Sequence, residues 1–318
     1  LFHLSTFFRL QQSAQKYAYF GYISRDNVAL SVELLDLMLI FYTIGQLQTF
    51  LNREQIKNSS IGIVPTMGAL HEGHLTLIAK SKKLANVTIC TIFVNPTQFN
   101  NQQDLEKYPR TLDNDTKLLE GVECDVLFMP KASEIYPENK HLETFDFGEI
   151  ATVMEGKHRP GHFNGVGQII SKFVEIINPD FAFFGEKDFQ QLAIINRLVE
   201  IKKYSVKIIP CAIARADDGL ALSSRNKRLS THQKRVATKT HRAMELAKKI
   251  QTNHSPQELE KIVWNEIDKS PGLTVEYVEI GDDKLLSRAT HWAKNRTYRI
   301  FIAAFCGDVR LIDNEQLN

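Results

Sequence analysis

Cysteine is scarce. Four residues in 318, Cys90, Cys124, Cys211 and Cys306, are widely scattered and form neither a C-x-x-C pair nor a zinc spacing. A disulfide framework and a structural zinc module therefore have no basis here. Cys90 and Cys124 lie inside apolar runs, where a thiol packs as a small hydrophobe, and the usage fits a reducing compartment. Net charge is nearly absent: 39 basic against 37 acidic side chains leave a formal +2. That balance gives no reason to expect a nucleic-acid partner, although it allows a local basic pocket for a small anion. The densest basic run, Lys234-Arg235 with Lys239, Arg242 and Lys248-Lys249, reads as a solvated helix face. Long apolar stretches are missing as well. Nothing reaches the roughly 18 consecutive apolar residues of a membrane span. The longest uncharged segment, Leu37 to Asn52, is broken by Thr43, Gly45, Gln46 and Gln48.

What is present is ordinary for a globular protein: 43% apolar and 24% charged residues. At about 100–200 residues per domain, the length predicts two domains. Residues 1–37 carry neither the basic start, the compact apolar run nor the small-residue cut site of a secretory signal. An organelle-targeting peptide stays open for them.

From Ile61 the texture is α/β. Apolar runs at 61–64, 87–94, 125–129, 181–184 and 206–213 predict buried strands, the first ending at Pro65 and the third at Pro130. Between them, 75–85, 112–120 and 190–200 read as helices. Leu75, Ile78, Ala79 and Ala85 lie near one face of the first, and Gly121 closes the second. Residues 173–177 read as a helix end. Alternation of this kind implies right-handed crossovers and a parallel sheet, with ligands beyond the carboxyl ends of its strands. After Ile213 the texture changes. Residues 230–251 and 256–269 predict helices capped near Ser230 and Ser255, 274–280 a strand, and 298–305 with 309–312 a closing hairpin. The expected organisation is an extension (1–37), a parallel-sheet domain (38–212) and a smaller α+β domain (213–318).

The unusual residues sit where strands end. Pro65 to His74 (PTMGALHEGH) follows the first strand and opens a helix, whose unpaired N–H groups suit a phosphate. His71 and His74, three apart, project from one face of that turn and could donate to a polyphosphate as charge builds. Metal binding and purely structural histidines are the rival readings. FVNPTQF (93–99) places Asn95 and Gln98 after a strand, where amides can read hydroxyls and carboxylates; a plain Asn-Pro turn is the alternative. FFGEKDFQQ (183–191) offers Lys187 as a point charge for phosphate, Asp188 for a ribose hydroxyl or a metal-bound water, and Gln191 one turn on. DGLALSSRN (218–226) sets two hydroxyls and an arginine in succession, a clamp for anionic oxygens or a turn with a capped helix. Residues 156–167, with four glycines and the basic side chains of Lys157, His158, Arg159 and His162, read as a mobile loop near an anion. No G-x-x-x-x-G-K-[ST] loop occurs, and no G-x-G-x-x-G follows the first strand, so neither phosphate-loop nor dinucleotide chemistry is indicated.

The stretch His71-Glu72-Gly73-His74 resembles the HxGH signature of the nucleotidyltransferase superfamily, which works by attack on the α-phosphate of ATP. The four longer strings, in this order and spacing and with the closing Arg310-Leu311-Ile312-Asp313-Asn314, resemble the pantoate–β-alanine ligase family. The likeness runs from about Met38 to Ile312. It implies a Rossmann-like parallel-sheet domain with the smaller domain closing over its site. It implies condensation of (R)-pantoate with β-alanine, giving pantothenate, AMP and diphosphate through pantoyl adenylate, with Mg2+ accompanying ATP and a homodimer as the assembly. His74, His71 and Lys187 would be catalytic. Met67, Gly68, Ala69, Leu70, His71, Glu72, Gly73 and His74 would line the ATP site. Gly185, Glu186, Lys187 and Asp188 would face its ribose and phosphates, and Ala214 the adenine. Leu222, Ser223, Ser224 and Arg225 would close over the phosphates. Gln98 and Gln191 would bind pantoate, and Gln98 also β-alanine. Residues 1–37 have no counterpart in the family pattern, and the chain opens on Leu1, so an over-extended reading frame and a real extension are both open. Protein ligands for magnesium are open too: Asp113 and Asp115 are nearby acids, separated by Asn114. An adenylyltransferase that stops at the adenylate, and a non-catalytic nucleotide-binding protein, are the alternative functions.

Overall fold

The computed structural model describes residues 38–137 and 142–317. The reading of residues 1–37 as an extension lies outside the described residues. Six strands form one parallel sheet: β1 (Leu39–Phe41), β2 (Ile61–Thr66), β3 (Val87–Ile92), β4 (Val126–Phe128), β5 (Phe181–Gly185) and β6 (Lys207–Cys211). Their spatial order is β1-β4-β3-β2-β5-β6. Successive strand residues alternate between two apolar layers. Ile63, Ile89, Phe128 and Phe184 face the helices Ile44–Leu51, His162–Ile177 and Phe189–Lys202. Val64, Cys90, Leu127 and Phe183 face the helices Glu72–Leu84 and Leu112–Gly121. This double coverage is why these strands read as continuous apolar runs rather than as alternating patterns.

A second, antiparallel sheet of three strands follows: β7 (Leu273–Asp282), β8 (Tyr298–Cys306) and β9 (Val309–Gln316), in that order. It packs on the helices Thr231–Ile250 and Pro256–Asp268 through Met244, Leu259, Val263, Ile280, Ile300 and Ile302. Both helices begin with a reciprocal capping box, Ser230 with Gln233 and Ser255 with Glu258, so the two caps stand where the serines place them.

Several expectations need correction. β2 does not stop at Pro65 but runs to Thr66. Its pairing with β5 ends at Ile63, so the missing N–H of Pro65 leaves no ladder bond unmade. Pro210 is tolerated in β6 because that strand is an edge. The first helix begins at Glu72 and buries Leu77, Ile78 and Ser81, whereas Ala79 is exposed. Gly121 is the last residue of its helix, and the left-handed turn is taken by Glu123 (φ 54°). The three residues of β1 were too few to signal a strand. The largest difference is the glycine-rich segment, which is no mobile loop. Met154–His158 is a helical turn, Gly161 is a left-handed cap, and His162–Ile177 is a long, mostly buried helix. A Cβ on Gly165 would lie 2.4 Å from the Thr97 carbonyl oxygen and 2.6 Å from the Gln98 nitrogen, so this glycine permits close packing rather than motion.

Candidate active site

The strand order reverses at β2, with β3 on one side and β5 on the other, and the crevice opens beyond their carboxyl ends. There the chain turns from β2 into the helix that starts at Glu72. Ala69 adopts a left-handed conformation (φ 52°), unusual for a residue with a Cβ. Asp115 holds it there: its buried carboxylate accepts the N–H groups of Ala69 and Leu70, both at 2.8 Å, and the Thr111 hydroxyl at 2.9 Å. Asp115 is thus a mount for the loop. Its oxygens are already committed, so the idea of a metal ligand at this position finds no support in the geometry.

The two histidines form the helix start. His71 is the N-cap, and its Nδ1 accepts the Gly73 N–H at 3.1 Å; Nδ1 of His74 accepts the His71 N–H at 3.3 Å. Both rings therefore carry their proton on Nε2 and have that N–H available as a donor. Their centroids are 4.1 Å apart. Burial, then the charges of Lys187 and Lys227, push His71 down to about 4. Burial, His71 and the same lysines push His74 well below the usual imidazole range. Near neutral pH these are two uncharged donors. Gly73 is required beneath them, since a Cβ there would lie 2.9 Å from Cε1 of His71. Glu72, in the same turn, is exposed.

The other strand-end motifs converge on the same region. Lys187 and Asp188 follow β5 in one tight turn after Gly185 and Glu186, with Nζ 3.8 Å from the Asp188 carboxylate. They line a cavity of about 270 Å³ together with Ser223, Arg225, Arg159 and Arg310. The Leu222 N–H bonds the Ala214 carbonyl at 2.9 Å, and Ala214 abuts Gly73 closely enough that an added Cβ would meet its methyl at 3.4 Å. The buried Ser224 hydroxyl reaches the Gly68 carbonyl at 3.4 Å, and the Ser223 side chain caps the turn that follows. Arg225 bonds Asp104 at 2.7 Å and lies over the Tyr108 ring.

Gln98 is gripped from two sides. Its side-chain oxygen accepts the Asn95 amide at 3.2 Å, which leaves its NH2 facing Met67 Sδ at 3.0 Å. Asn95 is itself oriented by the Gly165 carbonyl and the Tyr136 hydroxyl. The Gln98 carbonyl accepts Nδ1–H of His162 at 2.8 Å, and Nε2 of that ring faces Arg159 at 3.1 Å. Burial, then Arg159, hold His162 down at about 3, consistent with a neutral ring. Gln191 lines a smaller cavity with Lys187, Asp188 and His162. Its neighbour Gln190 is turned inward, bonding Glu155 N and the carbonyls of Ile150 and Val153. Sequence reasoning named Asp115 only as a nearby acid for magnesium, not as a mount for the loop, and did not single out Tyr136, Arg159 or His162. Only the density of basic residues and glycines in 156–167 pointed to the last two.

A family model described as pantoate-beta-alanine ligase matches residues 39–316, which includes every residue named above in this crevice. The chain belongs to the pantoate–β-alanine ligase family. Similar proteins include the pantothenate synthetases of Porphyromonas gingivalis, 44% identical over 87% of this chain and 98% of that one, and of Bacteroides thetaiotaomicron, 46% identical over the same shares. Among solved structures, the pantothenate synthetase of Thermus thermophilus has a TM-score of 0.82 and 33% identity, covering 88% of this chain and 99% of that one. The Francisella tularensis pantoate-β-alanine ligase, solved in complex with β,γ-ATP and β-alanine, has a TM-score of 0.75 and 39% identity, covering 88% and 98%.

This ligase family uses ATP, and Mg2+ is the ion expected with it. Of the carboxylates on the cavity wall, Asp104, Glu276, Asp308 and Asp313 are each paired with an arginine, whereas Asp188, 45% exposed, is paired among the described residues only with the Lys187 ammonium at 3.8 Å and so leaves the most room for such an ion. Among the described residues, the metal-type cluster His241, Glu245 and Glu315 includes no residue of either cavity wall. No described helix is long and apolar enough to cross a membrane.

Proposed function

We propose that this chain joins (R)-pantoate to β-alanine at the expense of ATP, giving pantothenate, AMP and diphosphate. The observation that carries the reading is the paired histidine cap. Two imidazoles are locked as Nδ1 acceptors, so their Nε2–H groups are preorganised donors at a helix N-terminus beside Lys187. A polyphosphate is the ligand such an array suits.

In the first step a pantoate carboxylate oxygen forms a bond to the α-phosphorus. The bond from that phosphorus to the bridging oxygen breaks, and diphosphate leaves with the electron pair. His71, His74 and Lys187 stabilise the charge that grows on the phosphoryl oxygens, with Ser223, Ser224 and Arg225 closing over the leaving group. Positioning and electrostatics carry most of this work. Mg2+ bound with ATP supplies further charge neutralisation. The Gln98 NH2, aimed inward by Asn95, and the Gln191 amide hold pantoate. In the second step the β-alanine amine attacks the acyl carbon, the C–N bond forms, AMP departs, and the amine releases a proton. Gly185 and Asp188 face the ribose, and the Ala214 backbone faces the adenine. A homodimer in the cytoplasm is the assembly and location we infer from the family; sedimentation of the purified chain tests the former.

Turnover is tested with Mg-ATP and pantoate, with and without β-alanine. AMP and diphosphate in sustained, stoichiometric release only when β-alanine is present supports the reading. Formation of ADP, or no nucleotide turnover by folded protein, overturns it.

A further inference from the structure

The turn that carries Lys187 is not held by β5 alone. Asn314, on β9, is 1% exposed, and its side-chain nitrogen donates to the Glu186 carbonyl at 3.0 Å and the Lys187 carbonyl at 2.8 Å. Its orientation is unambiguous. Both acceptors are backbone carbonyls, and its oxygen accepts from Arg299, an obligate donor, at 2.6 Å. Arg299, on β8, also lies 4.1 Å over the ring of Phe189, the residue that follows Asp188. The preceding residue on β9, Asp313, takes both terminal nitrogens of Arg215, at 2.6 and 3.0 Å. Arg215 is the neighbour of Ala214. Two consecutive residues of β9 thus hold two separate segments of the candidate ATP site, the Glu186–Lys187 turn and Arg215 beside Ala214.

We propose that Asn314 is a positioning residue: it sets the main chain of the Glu186–Lys187 turn, and through it the Lys187 ammonium, so that phosphate activation depends on how the antiparallel sheet is seated. This rests on the reading of Lys187 as a phosphate contact. It predicts a defect confined to the step in which phosphorus–oxygen bonds change. Asn314→Asp keeps size but turns an oxygen toward two carbonyls, and Asn314→Ser removes the reach to them. Adenylate formation is measured by single-turnover quench with Mg-ATP and pantoate, and aminolysis by adding β-alanine to the accumulated adenylate. Adenylation should slow by at least about tenfold in Asn314→Asp, with aminolysis changed by less than about twofold. Asn314→Ser should show the same split, and it decides the question if the Asp variant fails to fold. Equal losses in both steps, or wild-type adenylation in a folded variant, overturn the proposal. Absence of adenylate in the wild-type chain would instead refute the function on which it rests.

Discussion

Asp115→Asn isolates the support of the histidine turn from the turn itself. The carboxylate accepts the Ala69 and Leu70 N–H groups, one on each oxygen. The amide is the same size but replaces one acceptor by a donor, so one buried N–H loses its partner and faces another N–H. A hydrogen bond to a charged group is worth about 1.5–3 kcal/mol, and that is the expected loss. Ala69 sits at φ 52°, a conformation disfavoured by about 1–2 kcal/mol for a residue with a Cβ, and with the bond gone it is free to relax. Relaxation moves the start of the helix and with it both rings. If about 2 kcal/mol of the loss appears in the placement of His71 and His74, turnover falls about thirtyfold. The assay is steady-state diphosphate release beside urea denaturation. The combined losses in activation and unfolding free energy should reach at least about 1.5 kcal/mol. Wild-type turnover with wild-type stability would refute the claim that Asp115 mounts this turn.

Three further outcomes follow from the same geometry. His71→Asn supplies an acceptor where Nδ1 stood and so keeps the helix cap, but removes the Nε2–H donor. Turnover should drop about 10²–10³-fold with stability changed by less than about 0.5 kcal/mol, as read by kcat and urea midpoint together. The folded-state values of His71 and His162, about 4 and about 3, lie below the 6.5 of a free imidazole, so the unfolded chain binds protons first as pH falls. Their contribution is fully present above about pH 6.5 and is lost as pH falls through their folded values; most of that loss precedes the one from Glu155, which Arg310 and Arg159 hold at about 2. Urea midpoints that stay flat from pH 7 to pH 4.5 would contradict it. Gly165→Ala forces a methyl into the Thr97–Gln98 backbone and should raise the pantoate KM more than the ATP KM; an unchanged ratio of the two would show that this packing does not position Gln98.

The parts of this site that the sequence displayed share one physical origin. Strands buried on both faces are apolar throughout, so the polar residues after Thr66, Ile92 and Gly185 stand out against them, and each marks a carboxyl end. The paired histidines and Lys187 were legible for that reason, whereas the 223–225 turn, well beyond the end of β6 at Cys211, stood out by its succession of two hydroxyls and an arginine. The residues that hold them were not. Asp115 meets Ala69 across 46 positions, and Asn314 meets Glu186 across 128, and neither has a local pattern that distinguishes it from a surface carboxylate or amide. The glycines of 156–167 misled in the other direction. Glycine signals flexibility and close approach alike, and only the backbone of Thr97 and Gln98, lying against Gly165, tells which applies. β1 escaped notice because three residues give no period to read.

The most direct test of the account follows oxygen. Pantoate labelled with 18O in both carboxylate oxygens is turned over with Mg-ATP and β-alanine, and the AMP is examined by mass spectrometry. If the carboxylate attacks the α-phosphorus, one labelled oxygen appears in each AMP and one remains in the amide carbonyl of pantothenate. Unlabelled AMP, or label in inorganic phosphate or diphosphate, would contradict an acyl adenylate and the roles assigned to His71, His74 and Lys187.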